Sequence, residues 1–303
     1  MSNVKPDRPA PTTLSVIGLV VHPDRPIDGP VREVRTWADR RDVGLVQVPA
    51  SCQQQRVAQS GEAADCDLIL AIGGDGTTLA AIRTGAGVDR PVLGVACGSL
   101  GVLTATPATD VVRALERFST GEWVPHSLPA LDIAPDLGEP VFALNDLAIV
   151  RAGPGQVRVT AEVDGALFAR LAGDGCLVST PVGSSAYALA AGGPLVTPGT
   201  DAFLLTPLPV HGGSTPPLVV PAGSSIRLQV VPAHVGARLE VDGQMADAHI
   251  ESLTVALRAD VATVVTFADQ ESFLARLRRL AIIADSPRIV AEDARGSGDE
   301  RPC

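Results

Sequence analysis

Residues 73–77, Gly-Gly-Asp-Gly-Thr, place a single carboxylate inside a glycine-rich turn. The turn follows the apolar run 68–72 and leads into residues 77–84, whose composition favours a helix. Glycine tolerates positive φ angles and lets a ligand approach the backbone, while the amides at the start of a helix bind anions. We therefore predict a phosphate-binding turn whose ligand-contacting residues are Gly73, Gly74, Gly76 and Thr77.

Asp75 defines which reaction such a turn could support. A carboxylate beside phosphate groups is repulsive unless a cation bridges the two, or unless the carboxylate takes a proton from an attacking hydroxyl. Both arrangements belong to phosphoryl transfer, so Asp75 is the candidate general base. The turn has neither the lysine of a Walker A motif nor the GxGxxG spacing of a dinucleotide-binding turn. Taken alone, the segment is also compatible with a tight turn in which Asp75 caps the helix.

Two further segments carry residue types that bind nucleotides. Residues 173–194, GDGCLVSTPVGSSAYALAAGGP, are rich in glycine and hydroxyl groups and include Tyr187, the one tyrosine of the chain. Asn145 and Asp146 set an amide and a carboxylate side by side at the start of an apolar run. With GGDGT, the Asn-acid pair and the GDG…STPxGS-AY…AGGP segment in this order, the chain resembles the ATP-NAD kinase family from about residue 15 to residue 281. GGDGT also resembles turns of lipid kinases and phosphofructokinases, so the third segment carries most of the specificity.

The resemblance implies a fold, a reaction and an assembly. The fold is that of NAD kinases: a Rossmann-like α/β N-terminal domain with a parallel sheet, and a β-rich, β-sandwich-like C-terminal domain, with the active site in the cleft between them. The reaction moves a phosphoryl group from ATP, or from polyphosphate, to the 2′-hydroxyl of the adenosine ribose of NAD and gives NADP. Asp75 would be the base, and Mg²⁺ or another divalent cation would neutralise the donor phosphates. A homodimer or homotetramer is implied, in which the neighbouring subunit helps to close the nicotinamide end.

The binding residues of the family correspond to positions in the second half of this chain. Asn145 and Asp146 match an Asn-Glu pair that contacts the nucleotide, with a side chain one methylene shorter at Asp146. Asp174 matches the aspartate that approaches the nicotinamide end. His211 aligns with a histidine of the family, although a histidine in a loop is more often simply solvated. The resemblance assigns no metal ligand to the protein, and it places the adenine pocket at Ser185, Ala186 and Tyr187.

Five positions depart from the pattern of the family: Cys97 stands for Asn, Val102 for Phe, Val182 and Ala190 for Thr or Ser, and Pro216 for Arg. The first two changes remove the hydrogen bonds of an amide and the contact area of a ring. They favour, as the alternative function, a repurposed kinase of the same fold that phosphorylates another nucleotide or nucleoside, for example in specialised metabolism. Each departure is also compatible with simple repacking of the core. The intact GGDGT argues against a binding module without catalysis.

Alternating strand and helix periods position the GGDGT turn in an α/β domain over residues 1–125. Apolar runs such as 14–22 predict strands buried on both faces of a parallel sheet. Helical spacing follows this run, and the apolar residues that define it are Val31, Val34, Trp37 and Ala38.

After residue 125 the pattern changes to short strands separated by turns. Asp-Gly pairs at 164–165 and 242–243 are typical of hairpin turns and predict a β-rich nucleotide-binding domain over 126–267. Helical spacing returns at about 268–285, where we expect the chain to pack on the first domain. The charged segment 288–303 is predicted to be disordered.

Charge and hydropathy restrict the partners. The formal net charge of −10 over 303 residues disfavours nucleic acid and anionic membranes, which bind clustered Lys and Arg, and the chain has no basic amphipathic segment for a lipid kinase. No apolar stretch approaches the roughly 18 residues of a membrane span, and the polar N-terminus lacks a secretory signal, so we expect a cytoplasmic protein. The five cysteines lack metal-site spacing and are expected to be reduced, mostly structural thiols.

Overall fold

A parallel sheet forms the centre of the N-terminal half, as the alternating periods predict. The computed structural model describes residues 9–51, 55–231, 236–246 and 251–296. The strands of this half are β1 (Val16–Val21), β2 (Gly44–Gln47), β3 (Gln59–Ser60), β4 (Leu68–Gly73), β5 (Val92–Ala96) and β6 (Thr106–Pro107). Parallel pairing gives the order β3-β2-β1-β4-β5, and β6 pairs with the end of β5. The C-terminal ends of these strands therefore meet at one edge, where the GGDGT turn begins.

Three helices cover the two faces of this sheet: α1 (Asp28–Arg41), α2 (Asp75–Ala86) and α3 (Val111–Ser119). Successive side chains of a strand point to opposite faces. Ile17 of β1 accordingly packs in the apolar cluster that contains α1 and α3, whereas Val20 packs in the cluster that contains α2. The face that α1 buries consists of the four residues whose spacing predicts the helix, Val31, Val34, Trp37 and Ala38.

Two packed antiparallel sheets form the C-terminal half and confirm the predicted sandwich. Its strands are β7 (Val124–Pro135), β8 (Val141–Ala143), β9 (Asp146–Arg151), β10 (Val157–Val163), β11 (Ala166–Gly173), β12 (Gly175–Ser179), β13 (Ala202–Pro207), β14 (Leu218–Pro221), β15 (Ser225–Val231), β16 (Ala237–Val241), β17 (Gln244–Met245) and β18 (Ser252–Thr266). One sheet has the order β14-β13-β12-β9-β16-β17, and β11, β10, β15, β18, β7 and β8 belong to the other. Val178 and Phe203 from the first sheet pack against Val159 and Leu228 from the second.

Both predicted Asp-Gly turns join adjacent antiparallel strands. Asp164 and Gly165 have φ values of 50° and 79°, and Asp242 and Gly243 have 50° and 75°. Positive φ at both central residues is the geometry that matches the twist of a hairpin. The first turn connects β10 to β11, and the second connects β16 to β17.

Strands β7 and β18 run through both halves of the molecule. They pair antiparallel from Leu253↔Pro135 to Thr266↔Val124, with one irregularity between Arg258 and Ala262. Near its end β18 also pairs in parallel with β5, through Val264 and Val92. The parallel sheet and one sheet of the sandwich are thus a single sheet of twelve strands.

After β18 the chain returns to the first domain. Helix α5 (Phe273–Arg279) is the fifth α-helix of the described chain, after the short α4 (Tyr187–Ala190), and Ser272 caps it by accepting the amide of Ala275. The Arg276 guanidinium donates to carbonyl oxygens of residues 102 and 104. Packing on the 101–104 loop therefore holds α5 in place.

The prediction of disorder from residue 288 is wrong for the first part of that segment, because a sixth helix, α6 (Pro287–Gly296), forms there. Proline is favourable at the first position of a helix, since its missing amide would be unpaired in any case. Arg288 and Glu292, one turn apart, form an ion pair with an N–O distance of 3.0 Å. Residues 297–303 lie outside the described residues.

Cys66, Cys97 and Cys176 are free thiols, and the first and last of them are buried. Burial raises the pKa of the Cys176 thiol to about 12, which keeps it protonated and inert. Cys52 and Cys303 lie outside the described residues. None of the helices in the described part of the chain is long and apolar enough to cross a membrane.

Candidate functional site

The GGDGT turn borders a cleft of about 430 Å³ between the two halves of the chain. Gly73 ends β4, and α2 begins at Asp75. The amides at the start of α2 are therefore next to the cleft, where an anion could accept them. The other walls are the loop after β1, with His22 and Arg25, and the hairpin turn Asp242–Gly243.

Glycine at positions 73 and 74 provides space rather than an unusual backbone angle. None of the three glycines of the turn has positive φ, and Gly74 is extended at φ −139° and ψ −164°, so the turn does not use the left-handed region that glycine tolerates. A Cβ atom at Gly73 would collide with the side chain of Thr77, and one at Gly74 would lie 3.2 Å from the Arg25 guanidinium. At Gly76 nothing lies within 4 Å of such an atom, so this position is open.

Asp75 holds a neighbouring loop as well as facing the cleft. Its Oδ2 accepts the amide of Val102 at 2.7 Å, and its Oδ1 accepts the amide of Leu103 at 2.8 Å. A Cβ atom at Gly101 would collide with this carboxylate, so the loop needs glycine there. Each oxygen keeps a second lone pair for a ligand. Of this loop the sequence singled out only Val102, as a departure from the family pattern, because the distance from Asp75 along the chain hides the contact.

Arg25 and Arg83 supply positive charge to the cleft, and the sequence motifs missed both. The ring nitrogen Nδ1 of His22 accepts the amides of Asp24 and Arg25, each at 3.0 Å, and so shapes the turn that carries Arg25. The Arg25 guanidinium is exposed and lies 3.5 Å from the carbonyl oxygen of Cys97. No described carboxylate forms an ion pair with Arg25, so its charge is free to bind an anion.

Asp242 connects the two halves of the cleft. Its carboxylate is 2% exposed and lies 2.5 Å from Nη1 of Arg83, which belongs to α2. The same carboxylate accepts the amides of Leu144, Asn145 and Asp146 at 3.1, 2.7 and 3.2 Å. It thereby fixes the predicted Asn-acid pair relative to the helix that starts at Asp75.

The Asn-acid pair also contacts the glycine- and hydroxyl-rich segment. The amide of Thr180 donates to the carbonyl oxygen of Asn145 at 2.9 Å, and the Thr180 hydroxyl donates to Leu144 at 2.7 Å. Asp146 is 6% exposed. Burial, followed by the charges of Asp242 and Glu240, raises the pKa of Asp146 to about 7. At neutral pH this carboxyl is therefore divided between its protonated and ionised forms.

We predict that Asp146→Asn stabilises the protein more as pH rises. The pKa of about 7 in the folded state exceeds that of an unfolded aspartate, so folding gains stability from the bound proton at low pH and loses it as pH rises through about 7. Relative to wild type, the free energy of unfolding should increase by up to about 1.4 kcal/mol per pH unit between about pH 4 and 7. Urea denaturation across this range measures it, with Asp39→Asn at an exposed position of α1 as control. A difference independent of pH would contradict the prediction.

The predicted adenine-pocket residues lie at the end of the tight turn 183–185, which follows β12, and directly after it. The Ser185 hydroxyl donates to the carbonyl oxygen of Val182 at 3.0 Å, which keeps the turn closed. Ala186 is exposed, and Tyr187 is 41% exposed with its ring available for contact. The exposed backbone and the tyrosine ring of this turn could contact a nucleobase such as adenine.

Asp174 and His211 lie away from Asp75, at the opposite end of β12 from Thr180. Five strand residues separate these ends, or roughly 17 Å at about 3.3 Å per residue. Asp174 forms an ion pair with Arg151 at 2.5 Å, and His211 is exposed with its amide bonded to the carbonyl of residue 172. Asp242 and Arg83 thus link the Asn-acid pair to the Asp75 cleft, and Thr180 contacts Asn145, whereas Tyr187 lines a separate pocket together with Asp174.

The five departures divide by location. Cys97 is half-buried, and its amide donates to Gly73 at 2.6 Å, so it supports the glycine turn through its backbone. Val102 and Val182 line another cavity beside the 101–104 loop. Ala190 and Pro216 are exposed. Two of the five side chains thus face solvent, and two line this cavity, where Val102 leaves more space than the phenylalanine of the family pattern.

Similar proteins are known for both halves of the chain. The model of the ATP-NAD kinase N-terminal domain matches residues 26–123, and that of the ATP-NAD kinase C-terminal domain matches residues 144–259. The NAD kinase of Heliobacterium modesticaldum is 36% identical over 247 residues, which are 76% of this chain and 85% of the relative. The NAD kinase of Desulforamulus reducens is 32% identical over 243 residues, 76% of this chain and 84% of the relative.

Solved structures share the fold. Yeast NADH kinase complexed with NADH has a TM-score of 0.76 at 22% identity, covering 91% of this chain and 89% of that one. The NAD kinase from Archaeoglobus fulgidus in complex with ATP has a TM-score of 0.69 at 24% identity, covering 89% of this chain and 100% of that one. At these identities the likeness concerns the fold, whereas the two domain models and the bacterial relatives concern the sequence. Together they show that the chain belongs to the ATP-NAD kinase family.

Proposed function

We propose that this protein is an NAD kinase, which transfers a phosphoryl group from ATP to the 2′-hydroxyl of the adenosine ribose of NAD and yields NADP. The observation that carries the proposal is the position of Asp75 at the start of α2, in a cleft with two arginines and between two domains of the family. Polyphosphate is a second candidate donor, since the same charges would bind its phosphates.

Asp75 is proposed to accept the proton of the ribose hydroxyl as that oxygen attacks the γ-phosphorus. The new oxygen–phosphorus bond forms while the bond to the leaving ADP oxygen breaks, so the proton stays on Asp75 until it passes to water. The amides of Val102 and Leu103 hold the carboxylate in one orientation. A fixed orientation favours catalysis, because the acceptor oxygen and the base must meet in one geometry.

Mg²⁺ is proposed to bind with ATP rather than in a cage of protein ligands. Among the described residues no group of three or more His, Cys, Asp or Glu side chains could hold a metal. Magnesium usually keeps several waters and is held largely by substrate phosphates rather than by a dedicated cage of protein ligands. When bound, the ion would neutralise charge on the donor phosphates.

Arg25→Ala should weaken binding of the phosphoryl donor. The guanidinium beside Gly74 has no carboxylate partner, so a donor phosphate would gain charge-assisted hydrogen bonds there. We expect KM for ATP to rise by about 10- to 100-fold, with a smaller change in KM for NAD. Arg32→Ala, which removes an exposed arginine of α1, is the matched control. A rise confined to KM for NAD would assign Arg25 to the acceptor instead.

Gly76→Ala tests whether phosphate approaches the backbone of the turn. Position 76 is open and helical, so alanine should be tolerated and should stabilise α2 by about 0.5–1 kcal/mol. A ligand close to this backbone would meet the added methyl group, and KM for ATP should then rise by about tenfold. Thermal melting and steady-state kinetics measure the two effects. An unchanged KM would show that the donor does not contact Gly76.

A screen of donors and acceptors tests the proposed reaction directly. ATP and polyphosphate would each be offered with NAD, NADH and a panel of nucleosides, and products would be identified by mass spectrometry. We expect NADP from NAD and ATP. Turnover of a nucleoside without turnover of NAD would contradict the proposal and support the repurposed kinase.

The remote position of Asp174 and His211 supports the proposal of a homodimer or homotetramer in which one subunit completes the cleft of another. If Asp174 acts in the neighbouring cleft, a mixture of inactive Asp75→Asn and Asp174→Ala subunits should regain about a quarter of wild-type activity, because random pairing gives some clefts with both residues intact. Light scattering would give the subunit number. Mixed oligomers without activity would contradict a shared site.

A further inference from the structure

The 22–25 turn, which follows β1 directly, carries Arg25 into the Asp75 cleft. The Arg25 guanidinium lies 3.5 Å from the carbonyl oxygen of Cys97, and its Nη1 would lie 3.2 Å from a Cβ atom added at Gly74. An exposed arginine on a mobile turn would lose conformational entropy whenever a phosphate bound it. A turn whose backbone is already held in place lowers that cost, so the contacts of residues 22–25 bear on ligand affinity.

His22 occupies the amide groups of this turn. Its Nδ1 accepts the amides of Asp24 and Arg25, each at 3.0 Å, and its own amide donates to the carbonyl oxygen of Ile72 at 3.0 Å. Ile72 belongs to β4 and immediately precedes the glycine turn. His22 therefore ties the backbone of Arg25 to the strand that carries GGDGT. Because Nδ1 is the acceptor, the hydrogen of the neutral imidazole must be on Nε2.

Gln55 occupies the carbonyl groups of the same turn. Its Nε2 donates to the carbonyl oxygen of His22 at 2.8 Å and to that of Arg25 at 3.1 Å. Gln47 of β2 holds this segment, because its Nε2 donates to the carbonyl oxygen of Gln55 at 2.7 Å and its Oε1 accepts the amide of Val57 at 2.9 Å. The 22–25 turn is thus bonded to β4 through its histidine and to β2 through two glutamines.

We propose that His22 and Gln55 are positioning residues for the phosphoryl donor, which act by holding Arg25 beside Gly74. Neither residue belongs to a nucleotide-binding motif of the sequence. The inference rests on the proposed function only in taking the phosphates of ATP as the ligand of Arg25, and it holds for any acceptor. A histidine and a glutamine that merely stabilised the loop would have the same effect on ATP affinity whether or not Arg25 were present.

A double-mutant cycle on ATP affinity distinguishes these two roles. Calorimetric titration of the full chain with ATP and Mg²⁺, without an acceptor, should show Kd raised by about three- to tenfold in His22→Ala. In an Arg25→Ala background the same substitution should change Kd by less than about 1.5-fold, because the group that His22 positions is missing. Equal effects of His22→Ala in the two backgrounds would overturn the positioning role.

A conservative variant of His22 should restore the turn. His22→Asn should keep most of the ATP affinity, because the asparagine Oδ1 can accept the amide two residues further on as Nδ1 does. A loss as large as that in His22→Ala would contradict the proposal. Nitrogen-15 NMR of the ring provides a readout without ligand, and a neutral His22 with its hydrogen on Nδ1 would overturn the proposal as well.

Gln55→Met tests the carbonyl contacts, because it keeps the length of the side chain and removes the Nε2 donor. We expect Kd for ATP to rise by about threefold, whereas Gln59→Met, at an exposed position of β3, should leave it unchanged. Equal effects of the two glutamine variants would overturn the role of Gln55. The contacts lie in exposed or half-buried parts of the chain, so each variant should fold, which circular dichroism checks.

Failure of this inference differs from failure of the proposed reaction. If ATP binds with the expected coupling between His22 and Arg25 but no NADP forms, the NAD kinase proposal is contradicted and the positioning role stands. If NADP forms while the effects of His22→Ala and Arg25→Ala are additive, the positioning role is wrong and the kinase proposal stands. Wild-type protein that does not bind ATP would overturn both.

Discussion

Asp75→Asn is expected to lower kcat/KM for phosphoryl transfer to NAD by about 100- to 10,000-fold, the range that a positioned base contributes. The amide of asparagine cannot take the proton of the ribose hydroxyl. Affinity for ATP should remain, because the glycines, Arg25 and the first amides of α2 are unchanged. Kinetics and ATP titration on the same preparation measure the two effects. Activity within about threefold of wild type would exclude Asp75 as the base.

The contacts of Asp75 make the variant a test of two roles. Asparagine keeps only one acceptor oxygen for the amides of Val102 and Leu103, so we also expect a loss of stability of about 1–3 kcal/mol. Asp75→Glu separates the roles, because it retains a proton acceptor but shifts it from the loop. A base should give partial activity in Asp75→Glu and much lower activity in Asp75→Asn. Equal activity in both variants would indicate that Asp75 only positions the loop.

Asp242→Ala should cost about 3–5 kcal/mol in the free energy of unfolding, the largest stability effect that we expect from one surface-turn residue. The substitution leaves Arg83 without its partner and removes the acceptor for the amides of residues 144–146. Buried donors left without partners carry their full desolvation penalty. Urea denaturation would measure the loss, provided that the m-value, the slope of the free energy of unfolding against urea concentration, is the same in both proteins.

Two control variants show how large a loss in the free energy of unfolding should be expected when a weaker contact is removed. Arg83→Met should cost less, because Arg83 is 29% exposed and Asp242 keeps its three amide donors. Glu116→Ala breaks an exposed ion pair with Arg41 and should cost at most about 1 kcal/mol. If Asp242→Ala costs no more than Glu116→Ala, the connection between α2 and residues 144–146 has no structural importance.

Features set by local sequence were predictable, and features set by distant contacts were not. The α1 spacing identifies its buried face because a helix repeats every 3.6 residues, whatever it packs against. Asp242, by contrast, has the sequence of an ordinary hairpin turn, and its role depends on Arg83 and on residues 144–146, far away in the chain. The motif at 73–77 was recognisable because its composition shows that the turn needs space. Composition does not show which neighbours lie around the turn, so the backbone angles of its glycines could not be predicted.

The candidate site shows the same division. The resemblance to the family predicts Asp75, the Asn-acid pair and the 185–187 turn, whereas Arg25 belongs to no motif. Its importance follows from the absence of a carboxylate partner among the described residues, which only a folded arrangement can show. Asp174 and His211 match the family pattern, yet one chain does not bring them to the cleft.

The long pairing of β7 with β18 has a consequence for cooperativity. Because both strands continue from the sandwich into the sheet that carries the GGDGT turn, we expect the two halves to unfold together. A calorimetric scan should therefore show one endotherm, which ATP shifts as a whole. Splitting the gene between the halves would expose the apolar edge of β5, an edge that favours aggregation. We therefore expect ligands to enter by movement of the short loops around this shared framework.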